Sequence, residues 1–450
     1  MRSGSQPREA DRTAAAAPNG TCAASLGCML ASEFVRGVTT TFATRIVLIF
    51  VGLATTVVVA RSLGPEGRGL YAVALTIATL GVQIGNLGLH ASNTYYVAKD
   101  RSLLPTLMGN TLVVTFAAGG AAAAGVWMVF RTWPRLAPIH GWLLFLALLW
   151  IPAGLANLLL QNLLLGLMEV GAYNRIDLIS RMLGLALLAG LAAAGMRTAM
   201  VFLVAGLCAM AIGEVAVLLA LRKFMDRRPT PSLSLLRQHL GIGLRAYLVA
   251  FFAMLVLRID LLMVKYMLGT VQAGYYSVAA TMADGILTLP LVVATLLFPK
   301  LSGMTSQAEK WRFARKTTWV IAALTLPVVA VVMVLARFIV RWLFGWAYMP
   351  AASALLWLMP GIFFLGVETV IVQFLSSMGY PKLVVFSWAG CCAANIVLNL
   401  WAIPAYGIVG ASMVSSICYT LIFFLILRIA SRGHHEHVAD VGAAAPVISA

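Results

Sequence analysis

Apolar runs follow one another along this chain, divided by short polar stretches, with little else between them. Twelve can be marked, at residues 34–60, 69–90, 104–130, 142–164, 172–194, 199–221, 241–268, 273–298, 317–343, 351–378, 383–403 and 408–429. A helix needs roughly 20 such residues to cross the hydrocarbon core with its backbone hydrogen bonds satisfied internally. The pattern therefore predicts an all-α polytopic membrane protein of about twelve transmembrane helices. The longest polar stretch between runs, 223–240, contains Arg227-Arg228-Pro229-Thr230-Pro231 and leaves six runs on either side. This predicts an N-lobe over 34–222, a cytoplasmic linker over 223–240 and a C-lobe over 241–430, with tails over 1–33 and 431–450. The first tail is rich in Ala, Ser, Gly and Arg, lacks the apolar core of a cleavable signal peptide, and reads as disordered. Pro152, Pro290, Pro327 and Pro360 fall inside runs and are expected to kink them.

Composition points the same way. The chain is 61% hydrophobic and only 10% charged, whereas a soluble domain carries about a quarter charged residues. Most of its surface must therefore face lipid. The net charge of +17 would suggest nucleic acid in a soluble protein. Here Lys and Arg are better read as the cations that gather in cytoplasmic loops and set orientation. With both termini inside, the inner connections collect the greater share of the 32 Lys and Arg. The outer loops then hold fewer, among them Arg61, Arg68, Arg131, Arg135 and Lys265. The expected setting is a bacterial inner (cytoplasmic) membrane, crossed many times, with both termini cytoplasmic and no nucleic-acid partner. The six cysteines show no disulfide or metal spacing, and His434-His435-x-His437 reads as part of a solvated tail.

The chain also repeats itself. Leu63, Gly64, Gly69, Tyr71, Val73 and Ala74 recur as Leu268, Gly269, Gly274, Tyr276, Val278 and Ala279, a constant offset of 205. Gln161 pairs with Gln373 and Gly195 with Gly407 at an offset of 212. Duplication accounts for both and agrees with the position of the linker. Because each copy holds six spans, the copies run parallel, related by an axis along the membrane normal.

The stretch Ala60-Arg61-Ser62-Leu63-Gly64-Pro65-Glu66-Gly67-Arg68-Gly69-Leu70-Tyr71 resembles the signature after the first helix of polysaccharide flippases. These form the Wzx-like branch of the multidrug/oligosaccharidyl-lipid/polysaccharide (MOP) exporter superfamily. Arg258-Ile259-Asp260, followed by Leu268-Gly269 and Gly274-x-Tyr276, is similar to the family's seventh-helix pattern. Tyr406-Gly407-Ile408-Val409-Gly410-Ala411 resembles the turn before its last helix. The resemblance implies a MATE/MOP-like pair of six-helix lobes around a central cavity. It also implies transport of a lipid-linked oligosaccharide, with membrane lipids around it, and leaves open a polysaccharide polymerase and export machinery as partners.

The charged residues inside the runs are the candidates for chemistry. An Arg at bilayer centre costs roughly 2.5–3.5 kcal/mol on the insertion scale, so such residues usually face a wet interior and have partners. Arg45, near Thr40, Thr41 and Thr44, either contacts an anionic headgroup or snorkels to the interface. Arg258 and Asp260 lie about 200° apart on a straight helix and do not share a face, whereas Arg245 and Asp260 lie within about 60°. Asp177 and Arg181 stand at ion-pair spacing. A polar stripe, Thr76, Thr79, Gln83, Asn86 and His90, is matched by Ser277, Thr281, Asp284 and Thr288 in the second copy. Equivalent polar stripes turned inward would line one cavity, or bond helix to helix. Arg45, Arg245, Arg258, Gln83 and Asn86 are thus the candidate substrate contacts, and Asp260 and Asp284 the candidate ion-coupling carboxylates. Glu214 and Glu368 are further acids within spans.

No Gly-x4-Gly-Lys-Ser/Thr loop, dinucleotide fingerprint or His-Glu-x-x-His occurs, so no cofactor and no enzymatic activity are expected. The expected function is a flippase that carries an isoprenoid-pyrophosphate-linked oligosaccharide across the membrane by alternating access, for O-antigen, capsule or exopolysaccharide synthesis. A cation or drug antiporter of the same superfamily, or a membrane-embedded glycan polymerase or ligase, is the alternative.

Overall fold

The computed structural model describes residues 20–242 and 244–443. Among them there is no strand. The elements are α1 (Gly20–Asn86), α2 (Leu89–Lys99), α3 (Leu104–Thr132), α4 (Gly141–Gly166), α5 (Val170–Ala193), α6 (Ala199–Arg222), α7 (Leu233–Ile242), α8 (Leu244–Leu268), α9 (Thr270–Ser302), α10 (Gln307–Phe344), α11 (Met349–Ser376) and α12 (Lys382–Ala443). Ten apolar stretches are long enough to cross a membrane. Two of them, Phe42–Asn86 and Lys382–Arg432, run for 45 and 51 residues. At about 1.5 Å per residue these are twice the length a bilayer needs. Each is divided by a glycine with non-helical backbone, Gly64 in α1 and Gly407 in α12. The chain is therefore a multi-pass membrane protein whose helices account for all twelve predicted runs.

Local chemistry explains the ends of these helices. Thr198 accepts a bond from the Val201 N–H and Ser306 from the Glu309 N–H, capping α6 and α10. Pro105 and Pro350 sit in the first turns of α3 and α11, where a missing N–H is harmless. The expected proline kinks take another form. α4, α10 and α11 run through Pro152, Pro327 and Pro360 as continuous helices, and the sharp breaks fall at Gly64 and Gly407, whose positive φ only glycine adopts readily.

The left-handed residues recur with the repeat. Gly64 and Gly269, one offset of 205 apart, have φ of 66° and 90°. Gly195 and Gly407, 212 apart, have φ of 81° and 64°. Met168 and Tyr380 are also 212 apart, and both hold positive φ although neither is glycine. The two copies thus turn at the same places.

Packing follows the copies. α3, α4, α5 and α6 pack with one another and with α1; α8, α9, α10, α11 and α12 pack together in the second half; α1 lies along α9 and α8 and joins the halves. One end of the bundle carries Gly64, the α3–α4 connection and Gly269, and the other carries the connection after α6. At that linker end Asn110 Oδ1 accepts from the Ser232 N–H at 2.7 Å and the Thr230 N–H reaches Pro105 O, fixing the middle of the linker on α3.

α1 begins at Gly20 and α12 continues to Ala443, so helix extends into both expected tails. Residues 1–19 and 444–450 of those tails lie outside the described residues, as do the side chains of the His434, His435 and His437 cluster.

Candidate functional site

The two halves meet at the Gly64 end in a tight seam. A Cβ built on Gly69 would stand 2.1 Å from Thr270 O, and one on Gly274 would stand 1.9 Å from Pro65 O. Glycine at both places is what lets the second arm of α1 and the start of α9 touch backbone to backbone. Beside them Arg68 is only 6% exposed. Its Nε and Nη2 donate to Ser277 Oγ and Thr281 Oγ1, both at 3.1 Å, and its guanidinium lies 5.8 Å from the centre of the Tyr71 ring. The expectation of Arg68 as an outer-loop cation is corrected: it is buried, and every one of these partners is neutral. Gly69 allows the approach that hides it. Arg61 also crosses the seam, donating to the Leu343 and Trp342 carbonyls at 2.7 and 2.6 Å. These are orphan acceptors at the end of α10, where a cation is favoured. The Tyr348 hydroxyl donates to Ala60 O at 2.8 Å.

A second cluster joins α1 to α5. Arg45 Nη1 stands 3.4 Å from Asp177 Oδ2 and its Nη2 donates to the Tyr173 hydroxyl at 2.8 Å. Arg181 Nε meets the other oxygen, Oδ1, at 2.9 Å. One carboxylate thus serves two guanidiniums, and the group carries a net positive charge. The Arg45 side chain keeps 28% of its surface exposed. The Asp177–Arg181 pair expected from spacing is present, and Arg45 belongs to the same group.

The third cluster lies in the second half, midway along α8. Arg258 Nη1 pairs with Asp284 Oδ2 of α9 at 2.8 Å. Asp260, 2% exposed, accepts from the Tyr276 hydroxyl on α9, from Ser415 Oγ on α12 at 2.9 Å, and from the Leu261 N–H at 2.8 Å. Arg258, Asp260 and Asp284 all lie within electrostatic reach of Tyr419 on α12. Arg258 and Asp260 do leave α8 in different directions, as the helical geometry requires, but α9 and α12 wrap α8 closely enough that both side chains join one polar group. Nearby, Asn395 and Asn399 of α12 are fully buried and bond to each other at 3.2 Å.

The remaining candidates are placed elsewhere. Arg245 is exposed in the first turn of α8. Two residues on, the Tyr247 hydroxyl donates to the Gln83 backbone carbonyl at 3.2 Å, joining the halves at the linker end. The Gln83 side chain is half-buried. Asn86 is buried, and its side chain engages His90 Nδ1 and N–H across the turn from α1 to α2. The stripe predicted over 76–90 therefore ends at Asn86, and His90 belongs to α2. The structure brings Arg258, Asp260 and Asp284 together, and places Arg45 in a separate cluster with Asp177. The buried Arg68 was missed because it sits in a loop-like sequence. Its flanking glycines, Gly67 and Gly69, were the available signal.

The polysaccharide biosynthesis protein family matches residues 58–353. No curated protein matches the chain. Among solved structures, the chain is similar to an inward-facing multidrug resistance MATE family transporter of the MOP superfamily, at TM-score 0.69 and 14% identity over 88% of this chain and 96% of the other. It is similar to the lipid II flippase MurJ in an inward closed conformation, at TM-score 0.65 and 15% identity over 88% and 87%. A MOP superfamily transporter from Pyrococcus furiosus aligns at TM-score 0.59 and 15% identity over 89% and 95%. At these identities the likeness is one of fold.

Proposed function

The chain belongs to the polysaccharide biosynthesis protein family, with the fold of MOP transporters, and we propose that it flips an isoprenoid-pyrophosphate-linked oligosaccharide from the cytoplasmic to the outer leaflet of a bacterial inner membrane. The observation that carries this reading is the unbalanced charge inside the apolar helices. Asp177 neutralises only one of the two arginines it touches, and such a group inside a span favours an anion. A pyrophosphate, with about −2 charge by analogy with phosphate esters, meets that need. The sugar passes through the polar space between the halves while the lipid tail stays in hydrocarbon.

In this scheme Arg258 is the exchange point. At rest it is paired with Asp284. An arriving pyrophosphate competes for the guanidinium, which binds phosphate in the same bidentate manner as carboxylate. Asp284, once released, takes up a proton or cation, and so does Asp260 if the seam moves its Tyr276 and Ser415 donors away. That links substrate arrival to ion uptake, and rocking of one half against the other completes alternating access. Both termini and the linker lie on the cytoplasmic side, and glycan polymerase and export proteins act after this step.

A cation or drug antiporter needs net negative charge along its path, whereas the Arg45 group is net positive. The test is genetic. Arg45→Ala and Arg258→Ala, each in a strain lacking its own copy, are expected to abolish surface glycan while protein levels hold. Normal surface glycan in both variants would sink the headgroup site.

A further inference from the structure

At the Gly64 end, the α3–α4 connection, the start of the second arm of α1 and the last turn of α8 border an open cavity of about 490 Å3. That lies within the roughly 300–1,000 Å3 of small-ligand sites. Both halves build it: Leu70, Ile139, His140 and Leu143 come from the first, Lys265 and Tyr266 from the second. Its one fixed cation is Lys265. Lys265 Nζ gives one N–H to Thr270 Oγ1 at 2.5 Å and keeps two more. His140 adds a ring nitrogen, and Tyr266 is held in place by its hydroxyl donating to Leu136 O. No carboxylate lines the wall. The rest of the surface, Leu70, Ile139 and Leu143, is apolar.

A ligand matched to this wall is anionic at one end and hydrocarbon at the other. Depth supports the same answer. Trp133 and Trp142 flank the connection at 60% and 72% exposure, and exposed tryptophans mark the headgroup level of a bilayer. Arg131 in the last turn of α3 and Arg135 on the connection add positive charge near the surface. We propose that this cavity binds the phosphate-bearing headgroup of an anionic lipid, wedged between the two halves. The site uses none of the charges assigned to translocation, and a lipid seated there contacts both halves and holds this end closed. The phosphate has two possible sources, a bilayer phospholipid or an isoprenoid phosphate carrier; only the second rests on the proposed flippase activity.

The test is lipid retention by the full-length protein in native mass spectrometry. The probes are dioleoylphosphatidylglycerol, decaprenyl phosphate and decaprenol. Both phosphate lipids are expected to stay bound and decaprenol to be lost. The double variant Lys265→Gln, His140→Gln is expected to retain the phosphate lipids at least about tenfold less, the scale of one lost charge-assisted bond. Arg315→Gln, an exposed cation near the opposite end of α10, is expected to leave retention unchanged. Preference for decaprenyl phosphate over phosphatidylglycerol identifies the carrier as the source; equal retention, or the reverse preference, identifies bilayer lipid. Equal retention of decaprenol and the phosphate lipids overturns the proposal, and that comparison uses the wild-type protein alone. Unchanged retention in a double variant that unfolds at the wild-type temperature overturns it as well. Glycan movement is not read in this assay, so its outcome stands apart from that of the flippase reading.

Discussion

The backbones of Gly69 and Gly274 press against each other at places that the internal repeat makes equivalent. The carbonyls they meet, Thr270 O for Gly69 and Pro65 O for Gly274, belong to residues that are themselves one repeat apart. The contact is therefore symmetric about the axis relating the two copies, and the seam at the Gly64 end is built on that axis.

A methyl group at this seam has no room. Gly274→Ala is expected to weaken the closed seam by about 1–3 kcal/mol, the usual range for overpacking. The measurement is alkylation of an Ala273→Cys probe, beside Gly274 and 0% exposed in the native packing. Labelling should be slow in the parent and several-fold faster with Gly274→Ala. Equal labelling with unchanged thermal stability would show that the halves do not depend on this contact.

Arg68 is held by hydroxyls and a ring rather than by a carboxylate. Arg68→Met keeps much of the side-chain volume and removes the charge. Ser277 and Thr281 already bond to backbone carbonyls of α9, so they are not orphaned by its loss. The variant is expected to fold near normally but to close the seam less firmly, with faster alkylation at the same probe. Arg68→Lys should restore only part of the protection, because an ammonium cannot span both hydroxyls as a guanidinium does.

In the Arg45 group, the three members should differ in a fixed order. Asp177→Asn leaves two partly exposed guanidiniums without their acid, and losing these charge-assisted bonds should cost about 1.5–3 kcal/mol. Folding yield in the membrane should fall sharply. Arg181, with 59% of its side chain exposed, behaves as a surface partner, and Arg181→Ala should cost about 1 kcal/mol or less. Arg45→Ala should fold well and lose transport. Thermal unfolding in detergent, set beside surface glycan, separates the three.

Asp284→Asn tests the exchange at Arg258. Without its acid, Arg258 should bind the anionic headgroup more tightly, while the step that takes up an ion fails. Substrate affinity should rise and turnover should drop by tenfold or more, on the scale of one charge-assisted bond. Weaker binding together with weaker transport would assign Asp284 a purely structural role.

The helices were legible because length and apolarity alone define a span, and the glycine pattern disclosed the repeat. The Asp177–Arg181 pair followed from i, i+4 spacing within one helix. What could not be read was any contact between helices distant in the chain. Nothing in the local sequence says that Arg45 reaches Asp177, that Arg258 finds Asp284, or that Ser415 bonds Asp260 across 155 residues. Arg68 was misplaced for a related reason: loop-like composition predicts exposure, and only the neighbouring half buries it. Asn86 shows the limit of periodicity, since its stripe is interrupted by a turn at Leu87 and Gly88 with positive φ at both.

The most direct test is reconstitution of the purified protein in liposomes with a fluorescent isoprenoid-pyrophosphate oligosaccharide loaded in one leaflet, followed by a membrane-impermeant quencher. The account predicts that the wild-type protein carries the intact substrate to the other leaflet with its mass unchanged, and that Arg45→Ala and Arg258→Ala slow this at least tenfold, on the scale of one charge-assisted bond. Substrate that stays in its original leaflet, or that crosses equally fast in wild type and both variants, would contradict it.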